Sequence, residues 1–308
     1  MAVVIVNYRT ADLTIASVES VLASHDARPR VIVIDNASGD DSVERLLTRF
    51  GKHDGVTIVA RATNDGFCGG NNVGVTMAAE AGARYAFLLN SDATVAPDCI
   101  TLLAAEAQRD PTVALVNPLI FVGGTSEPWF AGARFSMWRG RPVHNSATSQ
   151  MGDPADIPFA TGCAMLVAID ALHGENAFDP SLFAYAEDLD LSLRVRRDGR
   201  RIRYVPAAHA WHFEGSSHRF ARGQSLRLYL ATRNSLRVAA RHARWYHWIT
   251  LAPMLSVDVV GRFAAVALRD RDVRAFAAVL RGALHAITGG RHPIEPASDT
   301  TRRNTRSY

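Results

Sequence analysis

The chain has 308 residues, 48% hydrophobic and 21% charged, a balance that belongs to a globular protein with a sizeable core and excludes a disordered, collagen-like or coiled-coil chain. That length allows two domains, or one large domain with an appendage, and the formal net charge of +4 is small. Cys68, Cys99 and Cys163 lie far apart with no CxxC pair, which excludes a disulfide framework or a structural zinc site and fits a reducing cytoplasm.

Ala2–Asn7 (AVVIVN) is a continuous apolar run with neither a basic stretch before it nor a cleavage pattern after it, so it reads as a strand buried on both faces and not as a signal peptide. Residues 11–23 carry apolar side chains near helical spacing, 31–35 (VIVID) form a second strand and 42–50 a short helix. A third strand is predicted over 56–60, a helix over 71–81 and a fourth strand over 85–89 (YAFLL). This order implies a twisted, mainly parallel sheet with right-handed crossovers. Ligands of such sheets bind beyond the carboxyl ends of the strands, and here those ends carry Asn7, Asp35, Asn64 and the stretch Asn90 to Asp92.

Residues 117–160 are rich in Gly, Pro, Ser and aromatics and read as short antiparallel strands or a long loop. An apolar strand is predicted over 159–169, entered through Gly162, then a helix over 187–197 and a short strand over 201–205. From about 222 to 287 the pattern is helical, and the last residues are polar, as in a disordered tail. The expected division is a catalytic body over 1–221, a basic helical segment over 222–290 and a tail over 291–308.

Two nucleotide motifs are excluded. A P-loop needs GxxxxGK[ST], and the only lysine, Lys52, is not in one. A dinucleotide fold needs GxGxxG after the first strand, where Asn7-Tyr8-Arg9-Thr10 has no glycine. The glycine-rich turn comes instead after the third strand, at residues 64–72 (NDGFCGGNN), where amides at a helix N-terminus suit anionic oxygens. Asp92, just past a buried strand, suits Mg²⁺ or Mn²⁺ shared with substrate phosphates, or equally a plain turn. Glu187, Asp188 and Asp190 suit the positive end of a helix dipole, but the apolar lead-in Phe183-Ala184-Tyr185 carries the first two inward, where a carboxyl becomes a better base.

In this order the segments VVIVNYRT (3–10), VIVIDNASGDDS (31–42), NDGFCGGNNVG (64–74), LLNSDATV (88–95), FATGCAMLV (159–167), FAYAEDLDLSLRVRRDG (183–199) and YVPAAHAWHFEGSS (204–217), with Arg233-Asn234, resemble the family 2 glycosyltransferases of the GT-A fold, in their bacterial rhamnosyltransferase-like branch. The resemblance implies an α/β fold with a mainly parallel central sheet flanked by helices and followed by a C-terminal helical segment. It implies that Asn7 and Asp35 line the base and ribose pocket, that Asn64, Gly66 and Asn90 border the nucleotide, and that Gly162, Arg233 and Asn234 belong to the donor and acceptor pocket. Asp92 would hold the divalent metal with His212 as a further ligand, and Asp188 would be the general base with Glu187 beside it. Where the broader family has Asp-x-Asp, this chain has Asn90-Ser91-Asp92, which leaves one carboxylate for the ion.

The activity the resemblance implies is inverting transfer of a sugar, with rhamnose the candidate, from a nucleoside-diphosphate donor to a glycan or lipid-linked acceptor of cell-surface polysaccharide synthesis, with Mg²⁺ or Mn²⁺ as cofactor. The alternatives are a silent nucleotide- or glycan-binding scaffold and a sugar nucleotidyltransferase, which expects a GxGTR-like turn that the first strand lacks. Residues 1–213 carry 18 Lys/Arg against 24 Asp/Glu, while 214–308 carry 16 against 6. Arg233, Arg237, Arg241 and Arg244 fall on one helical stripe, followed by Trp245, Tyr246 and Trp248. That pattern suits an interfacial helix on an anionic membrane surface, on the inner face of the plasma membrane, or else an amphipathic helix packed on the body. Nucleic acid is not an expected partner, since the basic stripe has no reading motif.

Overall fold

The computed structural model describes residues 1–25, 29–145, 152–213, 221–265 and 273–290. Its first half runs β1 (Ala2–Asn7), α1 (Ala11–Leu22), β2 (Arg30–Asp35), α2 (Ser42–Phe50), β3 (Val56–Ala60), α3 (Gly66–Glu80) and β4 (Tyr85–Asn90). These four strands are parallel in the order β4-β1-β2-β3, so the ends bearing Asn7, Asp35 and Asn90 share one edge. Val3, Val4, Ile5 and Phe87 to Leu89 are buried on both faces, which is why these strands read as unbroken apolar runs.

Helix α3 starts five residues earlier than expected, so the glycine-rich turn is its first turn. A Cβ on Gly74 would sit 2.2 Å from Val4 Cγ1. Glycine therefore lets this helix lie directly on β1, and that packing outweighs its poor helix propensity.

The second half runs β5 (Ala93–Val95), α4 (Cys99–Arg109), β6 (Val113–Val122), β7 (Pro128–Phe130), β8 (Ala133–Ser136), β9 (Arg141–His144), β10 (Ala155–Asp156), β11 (Ala164–Ala168), α5 (Glu187–Arg197) and β12 (Arg201–His212). The sheet continues from β4 through antiparallel β11 to β6 and β12, which lie parallel to each other. The strand expected over 159–169 begins only at Ala164. Asn117, fully buried in β6, donates to the carbonyls of Thr161 (2.9 Å) and Ala164 (2.6 Å) and accepts from the Thr161 amide (3.1 Å), so one carboxamide pins a bend there. The strand expected over 201–205 runs on to His212, across an irregularity between Val205 and His209 where Pro118 of β6 lies opposite.

Three helices follow, α6 (Ala221–His242), α7 (Trp248–Ala265) and α8 (Val273–Thr288). Helices α6 and α8 pack together, with Gly282 so close to the Tyr229 carbonyl that a Cβ would stand 2.7 Å from it. Three of the four arginines of the expected stripe lie on α6 and bond to neighbouring parts of the chain, while Arg244 lies beyond the end of the helix and is exposed. Arg233 is 3% exposed, Arg237 donates to the carbonyls of His285 and Gly290, and Arg241 pairs with Asp179 and Asp190. Carbonyls and carboxylates of the body compete for these guanidinium groups, so the basic face of α6 is a packing face. The expected boundary at 221 thus falls at the start of a helix bonded into the body, and the tail over 291–308 lies outside the described residues.

Candidate active site

Three groups of side chains gather at the carboxyl edge of the parallel strands. The first joins β1 and β2. Asn7 donates to Asp35 Oδ2 (2.6 Å), which also accepts from the Ser38 hydroxyl (2.5 Å), while Asp35 Oδ1 accepts from the Ser38 amide (3.0 Å). Thr10 and Thr14 donate to Asn7 Oδ1 at 3.1 and 2.7 Å. Asn7 and Asp35 therefore hold the loop after β2 first of all, and Oδ1 of Asp35 keeps one lone pair for an outside donor. Ser38 and Asn36 complete this group and were missed in the sequence, although the Asn-Ala-Ser-Gly turn they occupy was visible. Asn36 donates to Asn64 Oδ1 (2.9 Å) and to the Gly66 carbonyl (2.8 Å), and Asn64 Oδ1 also accepts from the Gly66 amide (2.9 Å). Asn64 and Gly66 are thereby fixed against the end of β2.

The second group is Asp92 with His212. Strand β5 pairs with β12 so that Ala93 stands opposite His212, and the Phe213 amide donates to the Asp92 carbonyl at 2.8 Å. This register brings His212 Nε2 to 3.2 Å from Asp92 Oδ1, with both residues buried and Trp129 edge-on to the imidazole. His212 Nδ1 and Asn90 Oδ1 are buried with no hydrogen-bond partner among the described residues. His209 lies instead against Phe121, with ring centroids 5.4 Å apart. The two histidines do not share a site.

The third group is Glu187 and Asp188 at the start of α5. Asp188 Oδ2 accepts from the Gly162 amide (3.2 Å) and Oδ1 from the Leu189 amide (2.8 Å). Burial raises the Asp188 carboxyl above the usual aspartate range, with these amides partly offsetting it. Glu187 is raised further, by burial first and by the neighbouring Asp188 charge second. Its Oε2 has no partner among the described residues. A Cβ on Gly162 would meet Asp188 and Phe67 at ordinary contact, 3.6 Å, so packing within the chain does not require glycine there. Cys68 is fully buried with its thiol pushed far up by burial, which leaves it no nucleophilic role.

The chain enters α5 through strained backbone. Phe183 (φ 65, ψ −59) lies in the γ-turn region, closed by the Ala184 amide on the Leu182 carbonyl at 2.8 Å, and Tyr185 and Ala186 also have positive φ. Each such residue costs on the order of 1–3 kcal/mol. Arg233 and Asn234 are buried behind this loop, where Asn234 Nδ2 donates to three of its carbonyls. In this structure their polar atoms are spent on the loop, on each other and on the Tyr229 hydroxyl, so they support this loop from behind.

The β4–β11 ladder relates the second and third groups. The Asn90 amide donates to the Cys163 carbonyl at 2.9 Å, next to the Gly162 amide that holds Asp188. Asp188 therefore stands across one ladder from the turn that carries Asp92.

The family model described as "Glycosyl transferase family 2" matches residues 2–173, more than half of the chain. The chain belongs to this family. Among its relatives, the rhamnosyltransferase WbbL of Escherichia coli K12 is 35% identical over 85 residues, 28% of this chain and 31% of that protein. The N-acetylglucosaminyl-diphospho-decaprenol L-rhamnosyltransferase of Mycobacterium tuberculosis H37Rv is 25% identical over 234 residues, 67% of this chain and 75% of that protein. Among solved structures, GalNAc-T7 with UDP, GalNAc and Mn²⁺ superposes with a TM-score of 0.65 at 19% identity, over 94% of this chain and 57% of that one. That likeness concerns the fold, which is GT-A. In this family 2 chain, the parallel half supplies Asn7, Asp35 and Asn64, and the added strands β5, β11 and β12 bring Asp92, Gly162 and His212 to the same edge.

Proposed function

We propose that this family 2 protein is an inverting glycosyltransferase. It takes a sugar, with rhamnose the leading candidate from its relatives' names, from a nucleoside diphosphate to a glycan or lipid-linked acceptor of cell-surface polysaccharide synthesis. The observation that carries the reading is the placement of the buried Asp92–His212 pair and of Asp188 on the two sides of the β4–β11 edge.

Asn7, Asp35, Asn64, Gly66 and Asn90 lie where a nucleotide would sit beyond the strand ends. The donor set at Asp92 and His212 fits Mg²⁺ or Mn²⁺, since one carboxylate and one imidazole face each other at 3.2 Å. Among the described residues no group of three His, Cys, Asp or Glu could hold an ion, so phosphate oxygens would complete the shell. Such an ion supplies Lewis-acid stabilisation of charge on a departing diphosphate. Asp188 takes the proton of the acceptor hydroxyl as its oxygen bonds to the anomeric carbon, and the diphosphate leaves with the electron pair of the broken bond. One base opposite one leaving group gives inversion. Burial, and after it the neighbouring Asp188 charge, holds the Glu187 carboxyl above the usual glutamate range. Gly162 leaves room over the base for a sugar.

We place the protein on the cytoplasmic face of the plasma membrane, against an anionic surface. Helix α7 exposes Ile249, Met254, Val257 and Val260, helix α8 exposes Leu280, Leu284 and Ile287, and Trp245 is 81% exposed between α6 and α7. Arg244, Arg274 and Arg281 are exposed near these faces. Amphipathic helices with aromatic anchors and basic residues suit the plane of a bilayer interface. No described helix is long and apolar enough to cross a membrane.

A thermal-shift screen over UDP, GDP, dTDP and CMP, with and without Mn²⁺, followed by NMR of the transfer product, tests the reading. Stabilisation by one diphosphate only with the ion, and an inverted anomeric centre, are expected. A product of retained configuration would remove Asp188 from the role of simple base.

A further inference from the structure

We infer that Asn234, oriented by Arg233, is a positioning residue that forces the 182–186 loop into the left-handed path from which Asp188 is aimed. This deepens the proposed function and rests on Asp188 being the base. The alternative role, contact with donor or acceptor, needs free polar atoms, and the structure leaves almost none. Asn234 is 0% exposed, and its Nδ2 donates to the carbonyls of Leu182 (2.7 Å), Ala184 (2.8 Å) and Tyr185 (2.9 Å). A carboxamide has two N–H hydrogens, so these three acceptors share them. Its Oδ1 accepts from Arg233 Nε at 2.8 Å, which sets which end of the amide faces the loop. Arg233 Nη2 adds bonds to Ser181 (3.0 Å) and Leu182 (3.2 Å), and its Nη1 reaches the Tyr229 hydroxyl at 3.5 Å.

The carbonyls of residues 181–185 are thereby all matched, because that of Phe183 accepts from the Cys68 amide at 3.0 Å. Loop carbonyls converge on one point only if the backbone turns unusually, and Phe183, Tyr185 and Ala186 all show positive φ. Non-glycine residues leave such conformations unless their surroundings over-determine them. Here the over-determination comes from two side chains on α6, some fifty positions along the chain. The loop also approaches α3 so closely that Gly66 could carry no Cβ, with the Phe183 carbonyl 2.4 Å away. It therefore sets the gap between the glycine turn and the catalytic pair.

The test compares wild type, Asn234→Ala, and Asn234→Ala combined with Ala186→Gly. Activity is read as kcat and KM for donor and acceptor, with hydrogen exchange over 181–190 as a readout that needs no activity. Asn234→Ala should lower kcat by about tenfold to a hundredfold, as expected for a misplaced catalytic group, with donor KM little changed and exchange faster over 182–187. Glycine at 186 occupies positive φ freely, so the double variant should recover several-fold in kcat. Raised KM with kcat intact would make Asn234 a substrate contact and overturn the inference. So would unchanged exchange in the loop, or a uniform loss of protection and thermal stability that glycine at 186 does not relieve. If wild type transfers no sugar, the function fails by itself, and loop exchange in the variants still decides whether Asn234 holds the loop.

Discussion

Replacing Asp190 by Asn removes a charge on which the packing of α6 against α5 depends. Asp190 is 0% exposed, its Oδ1 meets Arg241 Nη1 and His242 Nε2 at 2.9 Å each, and its Oδ2 accepts from Arg194 Nε at 3.0 Å. Burial alone would raise its pKa, but the His242 hydrogen bond and the two guanidinium groups overcome that and bring it down to about 2. The group is thus lowered from its ordinary 3.8 to about 2 in the folded state, and at about 1.4 kcal/mol per unit this is worth roughly 2 kcal/mol at neutral pH. A depressed carboxylate stabilises above its unfolded pKa, and the contribution falls away between about pH 4 and pH 2. Urea denaturation of wild type and Asp190→Asn at pH 7, 5 and 3 reads this directly. The variant should be about 2 kcal/mol less stable at pH 7 and 5, with the gap roughly halved at pH 3. A gap below about 0.5 kcal/mol, as for an exposed ion pair, or one unchanged with pH, would refute the reasoning.

Gly66→Ala should destabilise by about 2 kcal/mol or more, because Gly66 has φ +74 and the new methyl would meet the Phe183 carbonyl at 2.4 Å. Denaturation together with transfer rate checks it, and an unaffected rate would show that the loop does not aim the pair. With a base of raised pKa, kcat/KM should fall on the acid side with its midpoint above the ordinary aspartate range, since Asp188 must be ionised to act. A pH–rate profile flat down to pH 4 would contradict that. Trp245→Ser with Ile249→Ser removes two side chains 81% and 71% exposed. Binding to anionic vesicles should weaken by about tenfold or more if these meet lipid, and an unchanged co-sedimentation would take the helices off the membrane.

The parallel half of the fold was legible because buried parallel strands are unbroken apolar runs, and α2, β3 and α5 fall where their periodicity places them. Strand β6 was not, because Asn117 and Pro118 interrupt its pattern, and only the structure shows Asn117 spending its amide on the 161–164 bend. Asp92, His212 and Asp188 were reachable through motif order, but the pairing of His212 with Asp92 depends on the β5–β12 register and the place of Asp188 across from their turn on the β4–β11 register, which no local pattern encodes. The arginine stripe left its role open between an interfacial and a packed helix for a related reason. Spacing reports that four arginines share a face, but not that carbonyls of the 181–185 loop and the Asp190 carboxylate wait opposite that face.

The proposed division of labour between Asp92 and Asp188 is tested most directly by measuring diphosphate affinity and sugar-transfer rate together in Asp188→Asn. Binding of the nucleoside diphosphate with Mn²⁺ should match wild type while transfer falls by about a hundredfold or more. Wild-type transfer by this variant, or loss of diphosphate binding with it, would contradict the account.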